Sequence, residues 1–228
     1  MVTIEDGSGH MDAAERAARL DAWQAEMRAC TRCVAAGYLA SAHPVFRGHA
    51  SQRVMIVGQA PSARAHLHGV PWNGPGGEVL KGWLAQAGFP RETFLDTWYL
   101  TSITRCFPGA ATGGKGDRAP SAGEIRLCAD NLAMEMALVR PEIVVTLGRL
   151  AAVALIPGGR KLPLVELVGR TFVVDLGHGE VPVVPLPHPS GVSRWRNDPE
   201  NRALVDLGLE ELAALARAAG ILPVLPRD

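Results

Sequence analysis

The sequence predicts an α/β fold, a three-layer α/β/α sandwich around a central four-stranded parallel sheet. Short apolar segments alternate along the chain with longer segments of helical periodicity, which is the order expected of strand–helix units. The apolar segments contain few polar residues, so both faces of each strand should be buried, as in parallel sheets. We see no internal repeat and no linker, and we expect one domain over residues 12–222. Residues 1–11 end in Gly-Ser-Gly-His-Met, which resembles an expression-vector scar, and are expected to lie outside the fold.

The predicted strands are apolar runs bounded by Gly, Pro or polar residues. The core strands are 54–57, 98–103, 143–147 and 181–184, with a hairpin arm at 171–175. Apolar residues at helical spacing predict helices at 12–27, 78–87, 122–139, 150–155 and 201–219. Ser121 and Glu124 form a capping-box pattern at the start of the third of these helices. Residues 109–116 are half glycine and predict a flexible loop.

Composition limits the class of protein. Of 228 residues, 47% are hydrophobic and 20% are charged, as in soluble globular chains, and no apolar run is long enough to cross a membrane. The first residues are acidic and polar, so we expect no secretory signal and a cytoplasmic protein. A formal net charge of zero argues against a strongly basic nucleic-acid-binding domain, although a local basic patch would suffice for transient binding to DNA.

Four cysteines form a possible ligand set: a C-x2-C pair, Cys30 and Cys33, followed by Cys106 and Cys128. Without a secretory signal, such thiols are more often metal ligands or core residues than disulfides. All four lie beside loops or near predicted helix starts, and four thiolates suit either a zinc ion or a [4Fe-4S] cluster. Spacing does not separate these two, and a buried core position is an equally good interpretation of Cys128 alone.

Aromatic and polar side chains are predicted to meet at one edge of the sheet. Gln59 follows the first strand, and Trp72 and Asn73 lie in the Gly/Pro-rich loop after it. Ser102 lies near the end of the second strand, and His188 follows the last. Because ligands bind outside the carboxyl ends of parallel strands, these residues offer stacking and hydrogen bonds to a planar polar ring such as a nucleobase. The alternatives are core packing for Trp72 and purely structural roles for Ser102 and His188.

Several motifs together resemble the uracil-DNA glycosylase superfamily. Gly-Gln-Ala-Pro-Ser at 58–62 is similar to its first motif, and His-Pro-Ser-Gly-Val-Ser at 188–193 to its second. The four cysteines in this order resemble the cluster ligands of the iron-sulfur branches, families 4 and 5. Residues 69–74 are similar to the G-x-P-F-x-G loop of that branch, with Trp for Phe, and 99–106 resemble the strand before the third cysteine. The likeness extends over residues 30–219.

The resemblance implies the uracil-DNA glycosylase fold with a structural [4Fe-4S] cluster. It also implies that uracil is flipped out of DNA into a pocket, where Trp72 stacks on the ring while the backbone N–H of Gln59 and the side chain of His188 face uracil O2. The implied catalytic residues are His188 and Gln59. The implied cluster ligands are Cys30, Cys33, Cys106 and Cys128. The implied base-binding residues are Gln59, Ala60, Trp72, Asn73, Ser102 and His188. The implied DNA-binding residues are Ser62, Ser190, Val192, Ser193 and Arg194.

The function implied by the resemblance is that of a monofunctional uracil-DNA glycosylase. Such an enzyme hydrolyses the N-glycosidic bond of uracil and leaves an abasic site for base-excision repair. Its partner would be single- or double-stranded DNA that contains uracil, and its product would be free uracil. It would act as a monomer and would not associate with a membrane. An alternative is a member of the same fold that binds uracil or DNA without turnover, or that traps the sugar covalently. The cysteines alone would also fit a zinc- or cluster-bearing nucleotide-binding protein.

The first motif departs from the family pattern. Most relatives carry a carboxylate or Asn in this motif or the loop after it, where it orients the attacking water. Here the motif has Gln59, residues 62–68 contain no acid, and Pro75 stands where family 5 has Asp. The group that orients water is therefore not identified, and we hypothesise that stabilisation of the leaving group carries catalysis. His66 or His68 could instead activate water or trap the sugar.

Base specificity is also expected to differ, because Ser102 occupies the position of an Asn that reads two edges of uracil in family 4. A site with fewer fixed polar groups rejects fewer analogues. We therefore expect activity on other deaminated bases as well.

Overall fold

Five strands form one mixed sheet in the order β2-β1-β3-β5-β4. The computed structural model describes residues 11–113, 116–190 and 194–223. The strands are β1 (Val54–Gly58), β2 (Trp98–Ser102), β3 (Ile143–Leu147), β4 (Phe172–Asp175) and β5 (Glu180–Leu186). β2, β1, β3 and β5 are parallel neighbours, and β4 pairs antiparallel with β5 at the edge. The four predicted core strands are present, but the prediction of a four-stranded sheet was wrong by one strand.

The fifth strand arises because the predicted hairpin arm joins the sheet. Only four residues separate β4 from β5, and Leu176 N–H donates to Gly179 O at 3.1 Å in the turn between them. Such a short connection allows only an antiparallel neighbour. Exposed and covered residues are mixed along β4, which suits an edge strand that has solvent on one side.

The sheet has a separate apolar core on each face, because successive residues of a strand point to opposite sides. Ile56 packs on one face with residues of α4 and α9. Met55, its neighbour in the chain, packs on the other face with residues of α1, α6 and α7. All residues of β1, β2 and β3 are buried, which explains why these strands are largely apolar; the polar exceptions are Thr101, Ser102 and Thr146. The layers are therefore helix, sheet and helix.

The longer helices lie close to their predicted positions. The helices are α1 (Ala13–Arg28), α2 (Arg32–Ala35), α3 (Ala63–His68), α4 (Pro75–Gln86), α5 (Phe94–Thr97), α6 (Ala122–Val139), α7 (Arg149–Leu155), α8 (Leu164–Leu167) and α9 (Pro199–Ala218). The capping box of α6 is confirmed: Ser121 N–H donates to Glu124 Oε2 at 2.7 Å, and Glu124 N–H donates to Ser121 Oγ at 3.3 Å. Within the described ranges, no helix combines the length and apolar character that a membrane crossing requires.

The topology brings four chain exits to one edge of the sheet. Gly58 and Ser102, the last residues of β1 and β2, are paired in register. The exit of β3 is tied to β5, since Gly148 N–H donates to Leu186 O at 2.8 Å. The segments that follow these strands therefore start side by side, and this edge carries the site described below.

Candidate functional site

One cavity of about 640 Å³ opens at the carboxyl edge of the parallel strands, a size typical of small-molecule sites. Its wall brings together residues from the four motif segments 58–62, 69–74, 99–106 and 188–193. The predicted site residues that line it are Gln59, Ala60, Ser62, Trp72, Ser102, His188 and Ser190. Asn73 is not part of the described wall, because its Nδ2 lies 3.5 Å from Arg64 O instead.

The indole of Trp72 and the imidazole of His188 face the same cavity. Their ring centroids are 5.8 Å apart and the ring planes are inclined by 43°. Both side chains are half-buried, so each has one part packed against protein and one part open to the cavity. A planar ring entering this cavity would meet an aromatic surface and a ring N–H within one small volume.

The backbone of Trp72 is held in a left-handed conformation, with φ of +57°. Gly77, in the first turn of α4, lies directly against it: a Cβ on Gly77 would be 1.7 Å from Trp72 O. On the other side, a Cβ on Gly58 would be 3.1 Å from Trp72 Cζ2 and 3.2 Å from Ser102 Oγ. The Trp72 backbone can therefore take this position only because Gly77 lacks a side chain, and the indole and the Ser102 hydroxyl can both pack over Gly58 because it lacks one as well.

The protonation state of His188 follows from its contacts. Ser190 N–H donates to His188 Nδ1 at 3.3 Å, which makes Nδ1 an acceptor and leaves the proton of the neutral ring on Nε2. Burial lowers the pKa of His188 below its usual value, and the negative charge of Asp117 partly opposes this shift. The ring is therefore neutral at pH 7 and can donate a hydrogen bond from Nε2.

Asp117 is the acidic side chain that the sequence motifs did not reveal. It is the one carboxylate among the described residues that line the cavity. Its Oδ2 accepts a hydrogen bond from Ala63 N–H at 3.4 Å, and an isolated bridge pairs it with Ala110. The glycine-rich tract before Asp117 follows the exit of β2 at this same edge. That position was the available signal, but the tract was interpreted only as a flexible loop.

Gln59 is fixed through its backbone, because the Thr104 N–H and the Thr104 hydroxyl both donate to Gln59 O at 3.3 Å. Ser62 Oγ accepts from Ala65 N–H at 3.1 Å and so caps α3. Val192 and Ser193 lie outside the described residues. Arg194 begins a short 3₁₀ turn, Arg194–Asn197.

The two histidines proposed as alternative catalysts lie elsewhere. The ring of His66 packs 5.2 Å from that of His43 and 5.8 Å from that of Phe107, measured between centroids. Neither His66 nor His68 belongs to the described cavity wall. A role for either histidine in activating water or trapping the sugar stays a prediction.

The four cysteines line a second, smaller pocket together with Arg105, Glu124 and Asn131. Burial raises the pKa of the Cys106 thiol to about 11, and burial followed by the neighbouring Cys128 raises that of Cys33. Asn131 Nδ2 donates to Cys128 Sγ at 3.4 Å. Among the described residues, no three His, Cys, Asp or Glu side chains are arranged to coordinate a single metal ion.

Comparison with known proteins identifies the family. The sequence profile described as "Uracil DNA glycosylase superfamily" matches residues 45–213, about three quarters of the chain. The chain belongs to the uracil-DNA glycosylase superfamily. Three similar proteins are each named type-4 uracil-DNA glycosylase. That of Archaeoglobus fulgidus is 28% identical over 64% of this chain and 69% of its own length. Those of Pyrobaculum aerophilum and Thermotoga maritima are 27% and 26% identical, over 72% and 77% of this chain and 80% and 84% of theirs.

The family assignment made from the motifs is therefore confirmed, and with it the assignment of the chain as a DNA glycosylase of the superfamily. The matched range includes both motifs and the cavity between them. The roles of individual residues stay predictions, because the match concerns the chain as a whole.

The contact between Gly77 and Trp72 provides a first test. A Gly77→Ala side chain would overlap Trp72 O, so the loop must move and carry the indole out of place. Since a displacement of about 1 Å can cost about 100-fold in rate, we expect excision of uracil from an oligonucleotide to fall at least tenfold. Single-turnover excision rates would measure this.

Gly82→Ala is the matched control in the same helix. Its Cβ would meet only the flexible end of Arg91, so excision should stay near the wild-type rate. A Gly77→Ala variant as fast as Gly82→Ala would show that the position of the indole does not matter.

Proposed function

We propose that the protein is a monofunctional uracil-DNA glycosylase. It would accept a uracil flipped out of single- or double-stranded DNA, hydrolyse the N-glycosidic bond, and release free uracil and an abasic site for base-excision repair. The observation that carries this proposal is the Trp72–His188 pair on one cavity, with its imidazole neutral and Nε2–H free to donate. The names of the type-4 relatives support it. A monomer in the cytoplasm is part of the proposal.

His188 would stabilise the leaving group. Breaking the glycosidic bond leaves negative charge on the base, with a large share at O2, and positive charge on the sugar. A preorganised donor at O2, such as His188 Nε2–H, is typically worth about 3–4 kcal/mol in the transition state, or about 100- to 1000-fold in rate. A neutral donor suffices, so His188 need not act as a base.

Asp117 would supply the carboxylate that the first motif lacks. It lines the same cavity as Gln59 and is close enough to His188 to influence its pKa. A carboxylate there can accept a hydrogen bond from the attacking water and stabilise the positive charge on the sugar, whereas the Gln59 amide can orient a water but cannot take its proton. We therefore assign Asp117 the water-positioning role.

Ser102 would read one edge of the base. Its hydroxyl and the indole both pack over Gly58, and it offers a single polar atom where an Asn amide offers a separate donor and acceptor. Activity on other deaminated bases stays part of the proposal.

The second pocket would hold a [4Fe-4S] cluster. Its four thiols come from three separate segments and surround one space, without the arrangement that a single ion needs. Four thiolates suit such a cluster, and the order of the cysteines resembles that of the iron-sulfur branches of the superfamily. Cys30, Cys33, Cys106 and Cys128 would be its ligands. The cluster would supply cross-links between segments rather than a step in the reaction.

The central test is excision itself. A uracil-containing oligonucleotide is incubated with the protein and treated with alkali, which breaks the strand at an abasic site. We expect strand breakage with wild type, a loss of about 100- to 1000-fold in single-turnover rate with His188→Ala, and a smaller loss with Gln59→Ala. A larger loss of rate from Gln59→Ala than from His188→Ala would contradict leaving-group stabilisation as the main source of the rate enhancement.

Retention of the oligonucleotide without breakage would identify a binding protein instead. A protein–DNA adduct that survives denaturation would identify the covalently trapping alternative.

The pH dependence of excision tests the coupling between Asp117 and His188. Because burial lowers the pKa of His188, the ring stays neutral below the usual value of 6.5. On acidification the rate should therefore stay constant through pH 6.5 and fall only at lower pH, when Nδ1 is protonated and can no longer accept Ser190 N–H. Asp117→Asn removes the charge that opposes the shift, so the pKa of His188 should fall further and the acid limb should move to lower pH. The overall rate should also drop.

Asp175→Asn is the control, because Asp175 pairs with Glu180 at the opposite end of β5. Each profile is scaled to its own plateau. An acid limb at or above pH 6.5 in wild type, or an upward shift in Asp117→Asn, would contradict this account.

The cluster can be tested without DNA. The purified protein should be brown, with broad visible absorbance, and iron and sulfide analysis should match one [4Fe-4S] cluster per chain. Cys128→Ser should lose the absorbance and lower the thermal midpoint, since one ligand is removed. A colourless protein that contains zinc would overturn this assignment.

A further inference from the structure

Arg105 and Glu135 form an ion pair that is almost completely buried, with side chains 1% and 0% exposed. Arg105 follows β2, and Glu135 lies in the C-terminal half of α6. Neither residue has a role in the reaction described above. Arg105 donates from Nη2 to Glu135 Oε2 and from Nη1 to Ser102 O. The two terminal nitrogens of its guanidinium therefore join α6 to the last residue of β2.

The same carboxylate is bonded to two further residues of β2. Thr101 Oγ1 donates to Glu135 Oε2 at 2.7 Å, and Tyr99 OH donates to Glu135 Oε1 at 3.1 Å. Three residues of β2 are thus tied to Glu135 on α6: Tyr99 and Thr101 directly, and Ser102 through the guanidinium of Arg105. The end of this strand is thus fixed by side chains as well as by its backbone ladder.

Stability alone is a weak reason for such a pair. Moving two charges out of water costs several kcal/mol for each ion, and well-packed apolar residues of similar volume often stabilise a protein equally well or better. What the apolar alternative would not provide is a directional hydrogen bond to Ser102 O. A planar guanidinium can bond a carboxylate and a carbonyl at once in a fixed geometry.

The pair lies between the two pockets. Arg105 borders the pocket of the four thiols. Thr101 and Ser102 border the larger cavity with Trp72 and His188 on its wall, which we call the base cavity. Val45 N–H donates to Arg105 O at 2.7 Å, and Val45 is also part of the base cavity wall. Arg105 therefore contacts two parts of the wall, one through its side chain and one through its backbone.

We propose that the Arg105–Glu135 pair positions Ser102 for base recognition. The proposal rests on the excision activity proposed above. Ser102 can read a base only if its hydroxyl keeps its place on the cavity wall, where it packs closely over Gly58. The guanidinium holds the Ser102 carbonyl, and Glu135 holds the guanidinium and Thr101. Arg105 and Glu135 are positioning residues, since neither of them lines the described cavity wall.

Arg105→Lys separates positioning from charge. A lysine keeps a positive charge beside Glu135 but cannot hold the carboxylate and the Ser102 carbonyl in one rigid fork. We expect the maximal single-turnover excision rate to fall about tenfold, with the half-saturating DNA concentration unchanged within about twofold. The visible absorbance per chain should stay at the wild-type value.

Arg53→Lys is the matched control. Arg53 also forks between a carboxylate, Glu142, and a backbone carbonyl, that of Gly220, but it precedes β1 at the opposite edge of the sheet. It should excise uracil at the wild-type rate.

A double-mutant cycle with Ser102→Ala tests whether Arg105 acts through Ser102. If it does, Arg105→Lys should cost little once the Ser102 hydroxyl is gone, so the two losses should not multiply. Multiplying losses, a wild-type rate in Ser102→Ala, or a wild-type rate in Arg105→Lys would each overturn the proposal. A fall in visible absorbance parallel to the loss of rate would also overturn it, because the role would then be to hold the thiol pocket.

Thr101→Val provides a second variant in case Arg105→Lys does not fold. It keeps the side-chain shape and removes one hydrogen bond to Glu135, so a smaller loss of rate that is again absent in the Ser102→Ala background is expected. A wild-type rate in Thr101→Val would count against the proposal in that case. Failure of wild type to excise uracil would refute the proposed function, whereas the outcomes above refute only the positioning role.

Discussion

The base cavity depends on the contact between the Trp72 carbonyl and Gly77. A non-glycine residue in the left-handed region costs about 1–2 kcal/mol, so Trp72 needs surroundings that impose this conformation. They are provided by α4, which begins directly after the loop and buries Leu80 and Leu84 in the core. Burying one leucine is worth about 1.5–3 kcal/mol, so docking of the helix more than offsets the backbone cost. The indole is thus held over the cavity by packing that lies outside it.

The sequence contained enough information to predict the core strands and the longer helices. Strands such as β1 are apolar throughout and bounded by Gly or polar residues, and α6 carries its own cap in Ser121 and Glu124. The edge strand β4 was predicted as a hairpin arm but not as part of the sheet, since its pairing depends on β5 and not on its own pattern. Four-residue helices such as α2 and α8 are too short to show a period, and α3 spans less than two full turns.

The candidate site was predictable where a residue directly follows a strand, and not where a loop returns to the site. Gln59, Ser102 and His188 belong to strand ends, so the parallel topology alone brings them together. Asp117 reaches the cavity from the far end of a glycine-rich loop whose course has no periodic signal. Asn73 lies in the predicted loop, but its amide is directed toward Arg64 O and not into the described cavity, so its role in base binding stays a prediction. A carboxylate absent from the first motif can therefore still be present at the site, because chemistry depends on position in space.

The thiol pocket, lined by Cys30, Cys33, Cys106 and Cys128, lies among segments that differ in how well they are packed. None of the four described residues of α2 is buried, and an isolated helix of this length has no stability of its own in water. Cys33 lies in α2, Cys128 lies in α6, and Cys106 directly follows Arg105 at the exit of β2. A group bound by all of the thiols would tie α2 to the segment that also supports the base cavity. Since Arg105 borders one pocket and holds the wall of the other, a disturbance at the thiols would reach Ser102 through one side chain. Residues 101–106 are thus a short stretch of chain that borders both pockets.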